Sequence, residues 1–443
     1  MRILLVVGLL VALLLIWRLA NQRLYNDSFS PFNLLFYFWI TPFILCFTNL
    51  SGLQTGITGY AGTIISVSTT ILIVTCLLPA ALASPRLKRA VKVGHTTTPT
   101  QIHSIWVLCF YLLTTVALYF AEFSGRDVPL VTYILGDASD PNLHTLGKDS
   151  RLQVLAAGTQ VAAIFVFQLW LLEKGRKRRI FYLSLALLLV ALGIIKASKS
   201  DIYMPLLSFA ALFYYRQRAS NIKLQLRYKV IVVLALLAVI SITSIRLGGI
   251  GLVGSYADLI DFSYTSELGP ALSEVVAIAY GYTSVGFQNF TNYVESHSLE
   301  FRIGSSLFRP ILSLLMMGDV ANTIGVPVDE WNVISDAANT GTFLTSLYIE
   351  GGILFCFLGS FLYGSFVNVI YHLHRSSHGL RFKLLYVAII FPWTWLFFTN
   401  GFSVLSVYIN LFYVLILSKL CIRTRDTGRP FASSRLNQAV RDA

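Results

Sequence analysis

Long apolar runs alternate with short polar, mostly basic, stretches from one end of the chain to the other. A membrane-spanning helix needs about 20 consecutive apolar residues. On that pattern the sequence predicts eleven spans, at 3–17, 32–50, 63–83, 103–121, 152–172, 180–195, 202–215, 230–245, 343–369, 384–400 and 403–420. The first is short, but Arg18 follows it where a signal peptide would carry a small-x-small cleavage site, so it reads as an uncleaved span. Segments 180–195 and 202–215 are also short and predict a helical hairpin that stops inside the bilayer. The expected organisation is all-α and polytopic. Helices 1–8 fill 1–245 with a polar loop at 122–151, a long loop covers 246–342, helices 9–11 fill 343–420, and a basic tail covers 421–443.

Composition agrees with this pattern. Of 443 residues, 56% are hydrophobic and 12% charged, with mean hydropathy +0.69. A soluble domain averages about 45–50% apolar and about 25% charged residues. An ordinary soluble enzyme, a disordered chain and a disulfide scaffold are therefore excluded. The five cysteines (46, 76, 109, 356 and 421) have no metal-ligand spacing and read as small hydrophobes. A net charge of +13 would suggest nucleic acid in a soluble protein. Here its placement decides otherwise. Of the 34 Lys and Arg residues, 25 fall in alternate loops, at 18–31, 84–102, 173–179, 216–229, 370–383 and from 418 onward. Loops rich in Lys and Arg stay in the cytoplasm. The C-terminus is therefore expected inside and the N-terminus outside, with no nucleic-acid partner and with anionic membrane lipid facing the basic loops.

The candidate chemistry lies on the other side. Loop 246–342 is too long to be structureless and idle. It carries helical patterns, with Ala271, Val275 and Ile278 on one face and Leu307, Ile311, Leu314 and Leu315 on another. Such helices would lie in the interface plane as a lid or roof. Nine cations stand outside against the topological trend: Arg2, Arg126, Lys148, Arg151, Lys196, Lys199, Arg246, Arg302 and Arg309. Lys196, Lys199 and Arg246 sit at predicted membrane boundaries, where a cation away from anionic lipid needs an anion such as a lipid-linked diphosphate. The alternative is snorkelling, or pairing with outer carboxylates such as Asp201. Glu350 lies inside a predicted span, where a carboxylate is costly and defaults to a functional hypothesis; a structural ion pair is the other reading. His297 is the outer histidine nearest the basic cluster. Tyr282 belongs to an aromatic stretch, 280–293, that would stack on sugar faces or pack on the bundle. His372, His374 and His378 lie on the cytoplasmic side, share no single helical face and lack an acid or cysteine neighbour, so no metal or cofactor is expected.

The stretch NTGTFLTSLYIEGGILF (339–355) resembles the Asn-x-x-Thr…acid-Gly segment that opens a late helix of the oligosaccharide repeat-unit polymerases of the O-antigen, Wzy-type family. The SKSD turn (198–201) and Arg246 at the start of the long loop resemble that family too. Lys196 and Lys199 stand where the family often has Arg, and Glu350 where it often has Asp. The resemblance implies a GT-C-like fold and a bacterial inner-membrane, metal-independent glycosyltransferase. It would move a growing glycan from undecaprenyl diphosphate onto a hydroxyl of the next lipid-linked repeat unit, alongside a flippase and a chain-length regulator. It further implies that Arg246, Lys199, Lys196, Arg302 and Arg309 stabilise the departing diphosphate. Glu350, Asp336 or His297 would take the hydroxyl proton, and Asn339, Thr342 and Tyr282 would line the substrate site. An O-antigen ligase and a lipid-linked glycan flippase or transporter are the alternatives.

Overall fold

The structure, a computed structural model, describes residues 17, 27–82, 100–124, 128–135, 150–219, 230, 233, 237, 241, 256–263, 265–296, 341–376 and 379–424. Among these residues the protein is helical apart from one short ribbon, in which β1 (Thr100–Ile102) pairs antiparallel with β2 (Ile422–Thr424). The main helices are α1 (Pro31–Cys46), α2 (Gly59–Leu82), α3 (Ser104–Glu122), α4 (Pro129–Leu135), α5 (Ser150–Leu172), α6 (Arg176–Ile195), α7 (Lys199–Ala219), α8 (Pro270–Ser296), α9 (Phe343–Ser376), α10 (Leu380–Thr394) and α11 (Leu405–Cys421).

Five helices among the described residues are long and apolar enough to cross a membrane: Gly59–Leu77, Ser104–Glu122, Leu152–Leu172, Arg176–Ile195 and Phe343–Arg375. Pro31–Cys46 and Leu405–Cys421 are shorter apolar helices. The protein is a helical, multi-pass membrane protein. The expected span 3–17 lies outside the described residues except Trp17, and 230–245 except Val230, Val233, Leu237 and Ser241, all four helical.

Helix α5 is the centre of the bundle. Its residues Val161–Phe167 are buried on every side among α3, α6, α7 and α11, as expected of a helix that is apolar all round. Phe167 stacks on Phe209 of α7 at 4.1 Å and 8°. Outer helices instead expose an apolar stripe. On α9, Leu354, Leu358, Phe361, Leu362, Val369 and Leu373 recur at helical spacing and face outward. Large contiguous apolar surface of this kind suits lipid rather than water.

Basic residues gather where α5, α7 and α9 end and α6 and α10 begin: Lys174, Arg176, Lys177, Arg178, Arg179, Arg216, Arg218, Arg375, Arg381 and Lys383. This is called the basic end, and the opposite one the far end. At the basic end α1 starts with Ser30 as cap, accepting from the Asn33 amide at 3.3 Å, and with Pro31 in the first position.

Two elements differ from the sequence reading. The hairpin of α6 and α7 forms, but its helices run through the flanking charges and are longer than expected, so α6 meets the length of a full crossing. The stretch read as one span at 343–369 is not one rod. Gly351 (φ −169°, ψ 30°) and Gly352 (φ 63°, ψ −149°) break it. Beyond the break the chain folds back. Sγ of Cys356 lies 3.6 Å from the Leu344 carbonyl oxygen, the Leu347 side chain covers Gly359, and the rings of Phe343 and Tyr363 are 6.2 Å apart. In an unbroken helix residues twelve and twenty positions apart would be about 18 and 30 Å apart. A short arm, 343–350, therefore leans antiparallel on a long arm, 353–376, and of the two only the long arm has the length of a crossing. Gly352 supplies the left-handed conformation that a side chain disfavours. A Cβ on Gly351 would lie 2.1 Å from the Phe355 ring.

Helix α8, from the long loop, lies across the far ends of α1 and α2. Tyr280 Oη donates to Gln54 Oε1 at 2.6 Å and accepts from the Leu50 amide at 3.2 Å. Gln288 donates to Thr55 Oγ1 at 3.0 Å and accepts from the Gly56 amide at 3.1 Å. The expected face of Ala271, Val275 and Ile278 is only partly right. Ile278 is buried but Val275 is 40% exposed, and the Ala271 side chain is outside the described set. The stripe that packs is Ser273, Ala277, Tyr280, Ser284, Gln288 and Thr291, all buried. It is made mainly of small and polar residues, so a count of hydrophobic positions passes over it. The pattern 307–315 lies outside the described residues.

Candidate functional site

The far end is organised by the turn between α6 and α7. Its backbone forms a paired helix stop. The Ser198 amide donates to the Gly193 carbonyl at 3.1 Å and the Ala197 amide to the Ile194 carbonyl at 2.8 Å, with Ala197 left-handed at φ 54°. This stop fixes the direction in which Lys196, Lys199 and Asp201 leave the turn.

Lys196 points into the bundle. Its Nζ lies 3.1 Å from Glu122 Oε1 of α3 and 2.8 Å from Asp201 Oδ2 of α7. Burial alone would lower the ammonium pKa; Asp201 and Glu122 outweigh it and push it up to about 12. Burial opposes ionisation of Asp201 as well, yet Lys196 and the Gln160 amide, donating at 2.7 Å, hold its carboxyl below the usual value. Asn410 of α11 donates in turn to Gln160 Oε1 at 2.7 Å. One polar chain therefore ties α3, α5, α7 and α11 together. It lines a small crevice between α5, α6 and α7 where Pro205, lacking an N–H, interrupts the α7 ladder. An anion approaching Lys196 meets two carboxylates, so this cation is satisfied within the protein.

Lys199 has a different setting. It sits in the first turn of α7, where the helix end already carries partial positive charge. Its Nζ donates to Tyr282 Oη of α8 and lies 4.0 Å from the centre of the Tyr282 ring. Tyr282 belongs to a row of rings. It stacks on Phe398 at 5.4 Å and 14°, and on Tyr256 at 5.9 Å and 23°. Phe398 packs on Trp395 at 5.1 Å, and Trp395 on Tyr203 at 4.9 Å. Of the aromatic stretch, Tyr280, Phe287, Phe290 and Tyr293 are buried in the bundle, whereas Tyr282 is half-buried.

Thr342 joins the same corner. One turn after Tyr282, Gly286 lets α8 approach so closely that a Cβ there would lie 2.9 Å from the Phe397 carbonyl oxygen and 3.6 Å from Thr342 Cγ2. Thr342 is 1% exposed, and its Oγ1 and that of Thr345 have no hydrogen-bond partner among the described residues. The Phe343 amide donates to the Leu396 carbonyl at 2.9 Å and pins the short arm to the turn after α10.

Glu350 is buried, 2% exposed, at the other end of that arm, directly before the glycine break. Its neighbour Tyr348 meets Phe290 at 6.0 Å and Tyr293 at 6.3 Å. Tyr282 and Phe290 are eight residues apart on α8, or about 12 Å. Lys199 and Glu350 therefore stand at two ends of one strip beneath α8, with Thr342 between them. Arg246, Asp336, His297, Arg302, Arg309 and Asn339 lie outside the described residues.

Sequence reasoning overlooked Glu122, Gln160 and Asn410. The signal was present for the last two, as lone amides within apolar runs that need partners there. The Phe398 and Trp395 shelf had no separate signal among so many aromatics. No metal-holding group of three or more His, Cys, Asp or Glu side chains occurs among the described residues. Compared with family models, curated proteins and solved structures, the chain matches none of them.

Proposed function

We propose that the protein is a bacterial inner-membrane glycosyltransferase that polymerises undecaprenyl-diphosphate-linked oligosaccharide repeat units, with the far end in the periplasm and the basic end in the cytoplasm. The observation that carries the reading is the closure of Tyr282, on the long-loop helix α8, over Lys199 at the hairpin turn, beside the rings of Phe398 and Trp395. A cation at a helix start suits a diphosphate, and a half-buried aromatic row suits sugar faces. Glu350, at the far end of the same strip, serves as the base that takes the acceptor hydroxyl proton. The departing diphosphate is stabilised by Lys199, joined by the long-loop arginines. Lys196 has a structural role in this scheme.

The test is synthesis by purified protein supplied with lipid-linked repeat units. Polymer is expected from the wild type. Glu350→Gln should keep the melting temperature and lose most turnover, because glutamine cannot accept the proton. If Glu350→Gln stays active while Glu350→Ala does not, Glu350 orients a neighbour and is not the base.

A second reading has one observation in its favour. The short arm 343–350 is a discontinuous helix, a device that secondary transporters use at substrate sites. Polymer formed in detergent, with no second compartment, excludes transport as the sole activity. Translocation of lipid-linked glycan in vesicles without any polymer would replace the first reading.

A further inference from the structure

Among the described residues the basic end contains a cluster whose charges do not balance, and it stands apart from the far-end reading. Asp27 is fully buried. Its Oδ1 accepts from the Phe29 amide at 3.0 Å and its Oδ2 from Tyr371 Oη at 2.9 Å. Arg218 of α7 and Arg375 of α9 both lie 3.6 Å from Oδ2. Two guanidinium groups thus share one carboxylate and leave a positive charge over. Each has further N–H groups in its fork. The other described carboxylate at this end, Glu173, is occupied. It accepts from the amides of Lys174 and Gly175, both at 3.0 Å, and faces Arg178 at 4.0 Å.

Behind the pair sits His374, held between aromatic rings. It packs edge-on to Tyr215 at 4.6 Å and stacks on Tyr386 at 5.7 Å and 10°. Both of its ring nitrogens are buried and have no hydrogen-bond partner among the described residues, and Nε2 of His372 is in the same condition. A buried imidazole with neither nitrogen engaged is uncommon in a folded protein. The charges of Lys383, Arg375 and Arg218 all act on the His374 ring, and Arg216 acts on Lys383. Arg218 and Arg375, whose one described acid partner is shared, therefore stand with Lys383 about an unengaged imidazole. On the lipid-facing side of the same helix end, Val369 and Leu373 are exposed.

We propose that this spot binds the phosphodiester of an anionic membrane lipid, with Lys383, Arg218 and Arg375 supplying charge and His374 donating a ring N–H to a phosphate oxygen. The lipid's acyl chains would run along Val369 and Leu373. One singly charged phosphodiester offsets the surplus charge of the Asp27 pair and gives the imidazole its partner. Basic pockets between helices on one membrane side are a known setting for such headgroups.

Native mass spectrometry of protein exchanged into micelles containing both phosphatidylglycerol and phosphatidylethanolamine tests this. The wild type should retain phosphatidylglycerol preferentially. Lys383→Met and His374→Phe should each reduce that retention roughly tenfold or more, the size of one charge-assisted hydrogen bond, whereas Lys383→Arg should keep it. His374→Phe preserves the ring between Tyr215 and Tyr386, so it decides the matter if Lys383→Met does not accumulate. Equal retention of the two lipids, or unchanged retention in both variants, overturns the site. Inorganic phosphate is the second arm: if it raises the melting temperature while phosphatidylglycerol is not retained, the site takes free phosphate and the lipid assignment fails.

Discussion

The two buried ion clusters are mirror images in charge. At the basic end one carboxylate, Asp27, faces two guanidinium groups; at the far end one ammonium, Lys196, faces two carboxylates. Each joins elements distant in sequence. Asp27 fastens the chain before α1 to the ends of α7 and α9, and Lys196 fastens the α6–α7 turn to α3. The comparison separates two kinds of cation that look alike in the sequence. Lys196 and Lys199 are three residues apart at the same turn, yet one is enclosed by acids and the other meets a tyrosine on α8. Position relative to the membrane made both candidates for a diphosphate. Their described partners divide them: two carboxylates for Lys196, the hydroxyl and ring of Tyr282 for Lys199.

The largest expected effects come from opening either cluster. Asp27→Asn leaves two guanidinium groups without a counter-charge, and Lys196→Met leaves two carboxylates facing each other. Removing one partner from a buried pair costs about 3–5 kcal/mol. Both variants should melt far lower in detergent or fail to accumulate. Neutralising the whole far-end triad, with Glu122→Gln, Lys196→Met and Asp201→Asn together, should recover much of that loss. If Lys196→Met melts like the wild type, the triad is not what holds this end.

Lys199→Met sharpens the contrast. Its melting temperature should stay close to the wild type, while polymer synthesis falls about ten- to a hundredfold, the loss of one charge-assisted contact of roughly 1.5–3 kcal/mol. A variant with full activity would remove Lys199 from the site.

Proton linkage gives a third test. The Lys196 pKa is raised from 10.5 to about 12, so its contribution is complete below 10.5 and disappears as pH climbs through about 12. Asp201 is held below its usual 3.8, so its contribution is complete above 3.8 and disappears as pH falls through its lower, folded value. The triad's contribution to the wild-type melting temperature should therefore be flat from about pH 5 to about pH 10, whereas Lys196→Met, with two carboxylates left facing each other, should recover stability as pH falls and one of them takes up a proton. A gap between the two that does not narrow on acidification would contradict the pairing.

The smallest effect concerns the turn itself. Ala197→Gly relieves a left-handed residue, worth about 1–2 kcal/mol, but removes a buried methyl group, worth about 0.8 kcal/mol, and frees the unfolded chain. Stability measured by denaturant in detergent should change by less than about 1 kcal/mol.

What the sequence made legible followed from single-residue chemistry and local period. Apolar runs gave α2, α3, α5 and α6, and the polar SKSD break gave the hairpin turn with Lys199 and Asp201 beside it. What stayed hidden depended on partners distant in the chain or on residues that hydrophobicity does not weigh. Glu122 is 74 positions from Lys196 and reads as the first residue of a loop. The packing stripe of α8 is written in Ser, Ala, Gln and Thr. Gly351 and Gly352 follow Glu350 inside a long, otherwise apolar run, where glycine is common in spanning helices, so a reversal there is not read from hydrophobic period.

That reversal has a consequence for how α9 sits in a bilayer. Straightened, its 34 residues would form a rod about 51 Å long, against a hydrocarbon core about 30 Å thick. The long arm alone, about 36 Å, matches the core with a modest tilt. Hydrophobic mismatch therefore pushes in the same direction as the contacts between the arms. The lipid itself resists any opening of the glycine break, and a thicker bilayer is the condition under which the short arm would be most easily drawn out from beneath α8.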